Sequence, residues 1–170
     1  MLFRSGTYVG AVTVATATHN LFTEIDASDI AKLMAALPQY AKRNAKFYCS
    51  SVCEELVFNR LKASAGGNTV QTLQGTTGSS YLGYPIVISQ VLPAGAATDY
   101  DALPMFYFGD LSRAASLGDR RQVRVFPSQH RYMELDQIGI LATERIDIVC
   151  HDLGDGTNAG PIVALTGSSS

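Results

Sequence analysis

The stretch that most constrains this chain is Tyr81–Ser89, with the sequence Tyr-Leu-Gly-Tyr-Pro-Ile-Val-Ile-Ser. Gly83 can adopt backbone conformations that other residues disfavour. Pro85 fixes its own φ angle and holds the residue before it extended. The three β-branched residues Ile86–Ile88 then predict a strand that is buried on both faces. We therefore expect a central strand with a kinked entry, around which the other elements pack.

Two amphipathic helices are predicted before this strand. The first is capped by Asp26 or Ser28, has Asp29 in its first turn and ends at Pro38. The second opens with Ser51-Val-Cys-Glu54, which has the form of a capping box. Their inward stripes are predicted to be Ile30, Leu33, Met34 and Leu37 in the first helix, and Cys53, Leu56, Val57 and Leu61 in the second.

Short runs of β-branched and aromatic residues predict further strands, and Gly118-Asp119 predicts a turn between two of them. The strands are expected at Thr7–Ala15, Phe47–Cys49, Met105–Phe108, Gln122–Phe126 and Ile162–Leu165. Strands and helices occur in one chain without a regular alternation, so the predicted fold class is α+β.

The longest extended segment is Arg131–Cys150, which contains one glycine and no proline. Alternate residues are apolar over much of it, which predicts one inward face that Glu144 interrupts. That face comprises Ile138, Ile140, Ala142, Ile146, Ile148 and Cys150. Since strands usually have about 5–6 residues, we expect this segment to protrude as a ribbon that grips neighbouring molecules.

Composition excludes several classes of protein. The 170 residues suit one domain, and their net charge of -2 gives no overall positive field for nucleic acid or an acidic membrane. No apolar run approaches the ~20 residues of a membrane helix. Only 16% of residues are charged, which is compatible with a surface partly covered by other subunits.

No catalytic, cofactor-binding or metal-ligating residue is predicted, and we expect no enzyme. The three cysteines are an odd set and favour reduced thiols. Cys49 and Cys53, even with Cys150-His151, lack the paired short spacings of a structural zinc site and suit small buried hydrophobes better. Nucleophile-elbow, P-loop and EF-hand patterns are missing from the sequence.

Charges of both signs alternate through residues 110–136, which favours ion pairs within or between subunits over nucleic-acid binding. From this pattern we predict a subunit interface that includes Arg120, Arg121, Arg124, Arg131, Glu134 and Asp136.

Two motifs, Leu82-Gly83-Tyr84-Pro85 and Phe108-Gly109-Asp110, are followed by the long strand with Arg145 and by Gly160-Pro161-Ile162-Val163. In this order they resemble the C-terminal half of a tailed-bacteriophage major capsid protein of the Hong Kong 97 type. The resemblance extends over nearly all of the chain.

The resemblance implies a structural protein of the virion, assembled in the host cytoplasm from pentamers and hexamers. Residues 1–119 with 151–170 would form an axial-domain-like body, and residues 120–150 a peripheral-domain-like β ribbon. Partners would be other capsid subunits, with packaged DNA contacted only non-specifically and no membrane or cofactor.

Three elements of the family have no counterpart in this sequence: the N-terminal arm, the extended loop and the spine helix. We therefore expect a truncated chain that is a monomer or a weak small oligomer and not a closed shell. The Lys–Asn crosslink of some members is not expected, because Arg120–Val149 contains neither residue type. Two alternatives stay open: an encapsulin-type shell subunit and a small ligand-binding or enzymatic α+β domain.

Overall fold

The structure is a computed structural model that describes residues 12–64, 79–128, 130, 133–150, 152, 154 and 158–168, without the side chains of residues 121, 122 and 133. Residues 7–11 of the first predicted strand, Arg131 and His151 lie outside the described residues. The described chain divides into two units, Met1–Ala114 with Asp152–Ser170 and Ala115–His151. They are called the body and the ribbon below.

The body contains short helices and a mixed sheet. Its helices are α1 (Ala27–Ala36), α2 (Gln39–Lys42), α3 (Ser51–Cys53), a π-helix (Glu54–Asn59), α4 (Arg60–Ser64) and α5 (Leu111–Ala114). Its strands are β1 (Val12–Val14), β2 (Lys46–Cys49), β3 (Ser80–Tyr81), β4 (Tyr84–Ile88), β5 (Pro104–Gly109) and β8 (Ile162–Thr166).

The six strands form one sheet in the order β1-β8-β5-β2-β4-β3. β1 is parallel to β8 and β2 is parallel to β4, whereas the other neighbours are antiparallel. This mixture of parallel and antiparallel pairs with short helices is the α+β architecture that the sequence predicts. No helix in the described part of the chain has the length and apolar character needed to cross a bilayer.

The core is aromatic and centres on Phe47 of β2. The Phe47 ring stacks on Phe108 of β5 at a centroid distance of 4.4 Å and lies 5.1 Å from Phe58 of the π-helix. Phe58 in turn meets Phe106 edge-on at 5.5 Å. Alternate residues of a strand face the same side of the sheet, so Phe106 and Phe108 present one aromatic face to the helix that contains Phe58. Such ring pairs add about 0.5–1.5 kcal/mol each to the stabilisation from burial.

The prediction of a central strand at Ile86–Ile88 is wrong in its position. The strand forms, but β4 is next to the two-residue edge strand β3, and only Ile86 is buried. Val87 is 37% exposed and Ile88 49% exposed. A run of β-branched residues predicts a strand without showing whether its second face is covered. The strands that are almost entirely buried are β5 and β8, and the two middle strands of the sheet are β5 and β2.

Gly83 has a positive φ of 84°, as predicted, but it belongs to a tight turn and not to a kinked strand entry. Leu82 and Gly83 join the antiparallel strands β3 and β4 and both have positive φ. Two-residue hairpin turns of this kind match the twist of the strands that they connect. Leucine rarely takes this conformation, so Gly83 relieves strain at only one of the two positions.

The first helix begins as predicted, at a cap on Asp26, and its inward residues Ile30, Leu33 and Leu37 are buried. The second helix begins one residue earlier than predicted. Ser50, and not Ser51, accepts the hydrogen bond from the Cys53 amide, at 3.3 Å.

The predicted capping box at Glu54 does not form, because the N-cap is Ser50 and the third helical residue is therefore Cys53. The Glu54 carboxylate instead accepts a hydrogen bond from the Ser79 hydroxyl. The π-helical spacing also moves Phe58 into the core, whereas Leu56 and Leu61 are only partly buried.

Asp29 is a buried carboxylate that joins α1 to the segment before it. Thr16 donates to its Oδ1 from the backbone amide at 2.9 Å and from the hydroxyl at 2.6 Å, and His19 Nδ1 lies 2.7 Å from its Oδ2. The Asp26 amide donates to Oδ2 at 3.2 Å. Burial favours the neutral carboxyl, but the hydrogen bonds from Thr16 and His19 outweigh it and hold the pKa of Asp29 well below its usual range.

We predict that Ile86→Ala and Ile88→Ala differ in their effect on the free energy of unfolding. Ile86→Ala leaves a cavity beneath the helices and is expected to cost about 2–5 kcal/mol. Ile88→Ala removes a side chain that is already half exposed and is expected to cost about 1 kcal/mol or less. Urea denaturation followed by circular dichroism measures both. Equal losses would contradict the burial of β4 on one face only.

The environment of Asp29 predicts a loss of stability in acid. Because its pKa is lowered in the folded state, the stabilisation is present above the unfolded pKa of about 3.9 and is lost as the pH falls below it. Asp29→Asn should cost about 1–3 kcal/mol at neutral pH, since buried hydrogen bonds are lost, and should flatten the dependence of stability on pH below about 4. Asp26→Asn, at the exposed cap, is the control. An unchanged pH profile in Asp29→Asn would refute this assignment.

Candidate subunit interface

The ribbon is formed by two long antiparallel strands, β6 (Ala115–Ser128) and β7 (Gly139–Cys150), joined through a short 3₁₀ helix (Met133–Leu135). Among the described residues no third strand joins this pair. The predicted turn at Gly118-Asp119 is wrong, because both residues continue β6 opposite Asp147 and Ile146. An isolated two-stranded ribbon is at best marginally stable in water, so a ribbon of this length gains stability from any surface that covers it.

The register of the ribbon shifts at two places, between Asp119 and Arg121 and between Arg121 and Arg124. Each shift places extra residues in β6 against a regular β7. Bulges of this kind re-aim the side chains that follow them. Together the two shifts restore the original alternation of side chains in β6. Leu117 before the shifts and Val125 after them therefore lie on the same face of the ribbon, opposite Ile148 and Ala142.

One face of the ribbon, the apolar face, contains the alternate residues of β7 that the sequence predicts to lie together. Leu117 pairs with Ile148 and Val125 with Ala142 on this face. The prediction that the face is turned inward is wrong: Ile140 is 72% and Leu117 69% exposed. The apolar face comprises Leu117, Val125, Ile140, Ala142, Ile146 and Ile148, and it also contains two carboxylates, Glu144 and Asp119, the latter opposite Ile146.

The opposite face, the arginine face, combines positive charge with a few apolar residues. Arg124 lies opposite Thr143, and the backbone register places Arg121 directly opposite Arg145. Like charges directly opposite one another destabilise a strand pair. Among the described side chains, Arg124 and Arg145 take part in no ion pair. Asp147 also lies on this face, two residues from Arg145. The positive charges outnumber it, so the face would gain from a further carboxylate supplied by another surface.

The structure does not bring the six predicted interface residues into one cluster. Arg120 and Arg124 are exposed in β6, and only the backbone of Arg121 is described. Glu134 and Asp136 are exposed at the end where the strands are joined, and Arg131 lies outside the described residues.

Sequence reasoning missed Arg145 as an interface candidate, because its position opposite Arg121 follows only from the register. It also predicted that the alternating isoleucines face inward. Their period and the protruding ribbon were predicted from the sequence, but the exposure of their face was not.

The described residues contain no group of three or more His, Cys, Asp or Glu side chains placed to hold a metal ion. Cys49 and Cys53 are buried as free thiols, and Cys150 at the end of β7 is half-buried. Burial raises the pKa of the Cys53 thiol, and its contact with Cys49 adds to the shift. A thiol of this kind stays protonated and unreactive at neutral pH.

A family model described as the phage capsid family matches residues 4–152. Among solved structures the chain is similar to the capsid of an empty GTA particle, with 18% identity and a TM-score of 0.59, and to the capsid of a native GTA particle, with 20% identity and a TM-score of 0.59. Each alignment covers 93% of this chain, against 50% and 49% of those chains, so this chain spans about half their length. Comparison with curated proteins gave no match. The structural likeness confirms the predicted capsid-type fold.

The burial of the three cysteines predicts the order in which they react with a thiol reagent. Cys150 should be labelled at least about tenfold faster than Cys49 and Cys53, which become accessible only when the body opens. Mass spectrometry of the native chain at timed intervals gives the three rates. Cys150→Ser should remove the fast phase and leave the slow ones. Equal rates at all three positions would show that the end of β7 is covered.

Proposed function

Since the chain belongs to the phage capsid family, we propose that it is a structural subunit of the icosahedral head of a tailed phage or prophage. In this proposal the chain acts through contacts between subunits and performs no chemistry. It would function in the virion, after assembly in the host cytoplasm.

The two units would have separate tasks in such a shell. The body, Met1–Ala114 with Asp152–Ser170, would correspond to the axial domain that surrounds the capsomer axes. The ribbon, Ala115–His151, would correspond to the peripheral domain that contacts neighbouring capsomers. The division of the structure falls after Ala114, whereas the sequence placed the boundary after Asp119.

The observation that carries the proposal is the exposure of large apolar side chains on the ribbon. Proteins that stay monomeric rarely expose a continuous apolar patch of more than a few hundred Å². Here the apolar face exposes several isoleucines in one row, and the arginine face adds Phe126 and Leu141, both more than half exposed. Covering these faces with other subunits removes apolar area from water at roughly 25 cal/mol per Å².

The charged residues would set register and orientation more than affinity. Exposed ion pairs contribute about 0–1 kcal/mol each, so Arg120, Arg124, Glu134 and Asp136 add little energy at the rim of an interface. Like charges brought together cost several kcal/mol and exclude wrong arrangements. Contacts with packaged DNA would be non-specific. The net charge of -2 gives them no attractive overall field.

This proposal predicts that a charge placed on the apolar face weakens self-association of the chain and leaves the body folded. Ile140→Asp and Ile148→Asp should each weaken self-association about tenfold or more, because an unpaired carboxylate would be buried against apolar surface. Arg124→Glu should have a smaller effect that depends on salt concentration. Sedimentation velocity over a concentration series measures association, and circular dichroism measures folding.

Ala35→Asp adds the same charge to the exposed side of α1 and serves as the control. Association that is equal in all four variants and the unmodified chain would contradict the role of the ribbon. The shell role itself is tested separately by purifying particles on a density gradient from cells that make the chain and identifying their subunits by mass spectrometry. Absence of the chain from such particles would overturn the proposed function.

A further inference from the structure

A basic cleft lies at one end of the body sheet. Its volume is about 440 Å³, and its walls include Arg43, Lys46, Tyr48, Tyr84 and Asp110. Lys46 is the first residue of β2, and its register partner Gly109 is the last residue of β5. The cleft is therefore placed where β2 and β4 begin and β5 ends.

The two cations of the cleft lack a counter-ion in the described part of the chain. Arg43 and Lys46 are exposed and take part in no ion pair there. The carboxylate of the cleft is already occupied: Asp110 is buried, its Oδ1 accepts hydrogen bonds from the Ser112 amide and hydroxyl, and its Oδ2 lies 3.6 Å from Arg113 Nε. The cleft thus has two unpaired positive charges beside a carboxylate that already has hydrogen-bond and ion-pair partners.

An acidic loop lies at the other end of the same sheet. Residues 89–103 connect the end of β4 to the start of β5, and Asp99 and Asp101 of this loop are exposed. The loop is anchored by Tyr100, whose hydroxyl donates to the Gly95 carbonyl at 3.1 Å and whose ring lies 4.7 Å from Phe22. An anchored loop loses little conformational entropy when it binds a partner.

The loop cannot fill the cleft of its own chain. The six residues of β5 separate the two sites by about 20 Å of strand. The Tyr100 amide also donates to the Asn20 carbonyl at 2.9 Å, which holds the loop at its end of the sheet. A contact between loop and cleft therefore requires two copies of the chain.

We propose that the acidic loop of one copy binds in the basic cleft of a second copy, with Asp99 paired to Arg43 and Lys46. The proposal rests on the proposed function, which makes a second copy the expected partner. Such a contact joins different surfaces of the two copies. It is heterologous, and repeated contacts of this kind close into a ring when the rotation between copies allows it.

The cleft suits a protein carboxylate better than nucleic acid. Nucleic-acid binding depends on neutralising several phosphates, whereas the cleft offers two cations next to the buried Asp110. Its wall also contains Tyr84 and Pro85, and the loop segment presents exposed Val91 and Leu103. Apolar contact can therefore accompany the charge pairs.

A charge exchange between two variants of the full chain tests the contact. Arg43→Glu removes the cleft charge, and Asp99→Lys removes the loop charge. Each variant alone should associate at least about tenfold more weakly than the unmodified chain, because like charges then meet at the contact. Mixed in equal amounts, the two variants should recover part of the association where they alternate. The loop of the Arg43→Glu variant then meets the unmodified cleft of the Asp99→Lys variant, and the altered loop meets a cleft in which the charge at residue 43 is also reversed. Sedimentation velocity at low and high salt gives the association constants.

Lys62→Glu and Glu55→Lys change the net charge by the same amounts at other sites of the body and should leave association unchanged. Asp99→Asn removes the charge but keeps a side-chain oxygen that can accept the hydrogen bond from the Asp101 amide. It therefore separates the effect of charge from an effect on loop folding. It should weaken association less than Asp99→Lys.

Several results would overturn this contact. The first is a mixture of the two variants that associates no better than either alone. The second is single variants that associate like the unmodified chain, in which case the proposed function could still hold through the ribbon. An unmodified chain that does not associate at all would overturn this contact, whereas the proposed function is decided by the purification of particles. Loss of binding to a DNA duplex in Arg43→Glu, without loss of association, would assign the cleft to nucleic acid instead.

Discussion

The structure depends on the antiparallel pairing of β5 with β8, the two most completely buried strands of the sheet. These two strands are distant in sequence, and both are almost completely buried. Their close approach requires glycine at residue 109, where a Cβ atom would lie 2.2 Å from the Pro161 carbonyl oxygen and the φ angle is 151°. This glycine lets β5 and β8 run side by side to their ends. The Asp110 amide can therefore donate a hydrogen bond of 2.9 Å to the Pro161 carbonyl.

The same pairing fixes both ends of the ribbon in sequence. The chain leaves the sheet after β5 and α5, forms β6 and β7, and returns into β8. The ribbon is therefore a long insertion between two strands that pair in the core of the body. Side chains on both of its faces are exposed, and within the described residues no further strand pairs with its edges. A stable body joined in sequence to a ribbon with exposed apolar side chains suits a subunit that assembles with others.

Much of the local structure could be predicted from the sequence. The cap at Asp26, the stripe from Ile30 to Leu37 and the strand that contains Phe47 depend on neighbours within a few residues. The order of strands does not, so the β-branched run Ile86–Ile88 was assigned to the centre although its neighbour β3 has only two residues. The ribbon was predicted in part. Alternation in β7 revealed a two-faced strand, but only the absence of a covering layer in the described chain shows that its apolar face is exposed.

Hydrogen exchange in the free and the self-associated chain tests the central claim most directly, namely that other copies cover the ribbon. Amides respond to covering through the free energy of local opening. The account predicts that amides of β6 and β7 become at least about tenfold better protected on association, which corresponds to about 1.4 kcal/mol of added local stability. Amides of β5 and β8 should change little, because they are protected in the free chain. Associated chains with unchanged exchange across the ribbon would contradict the account.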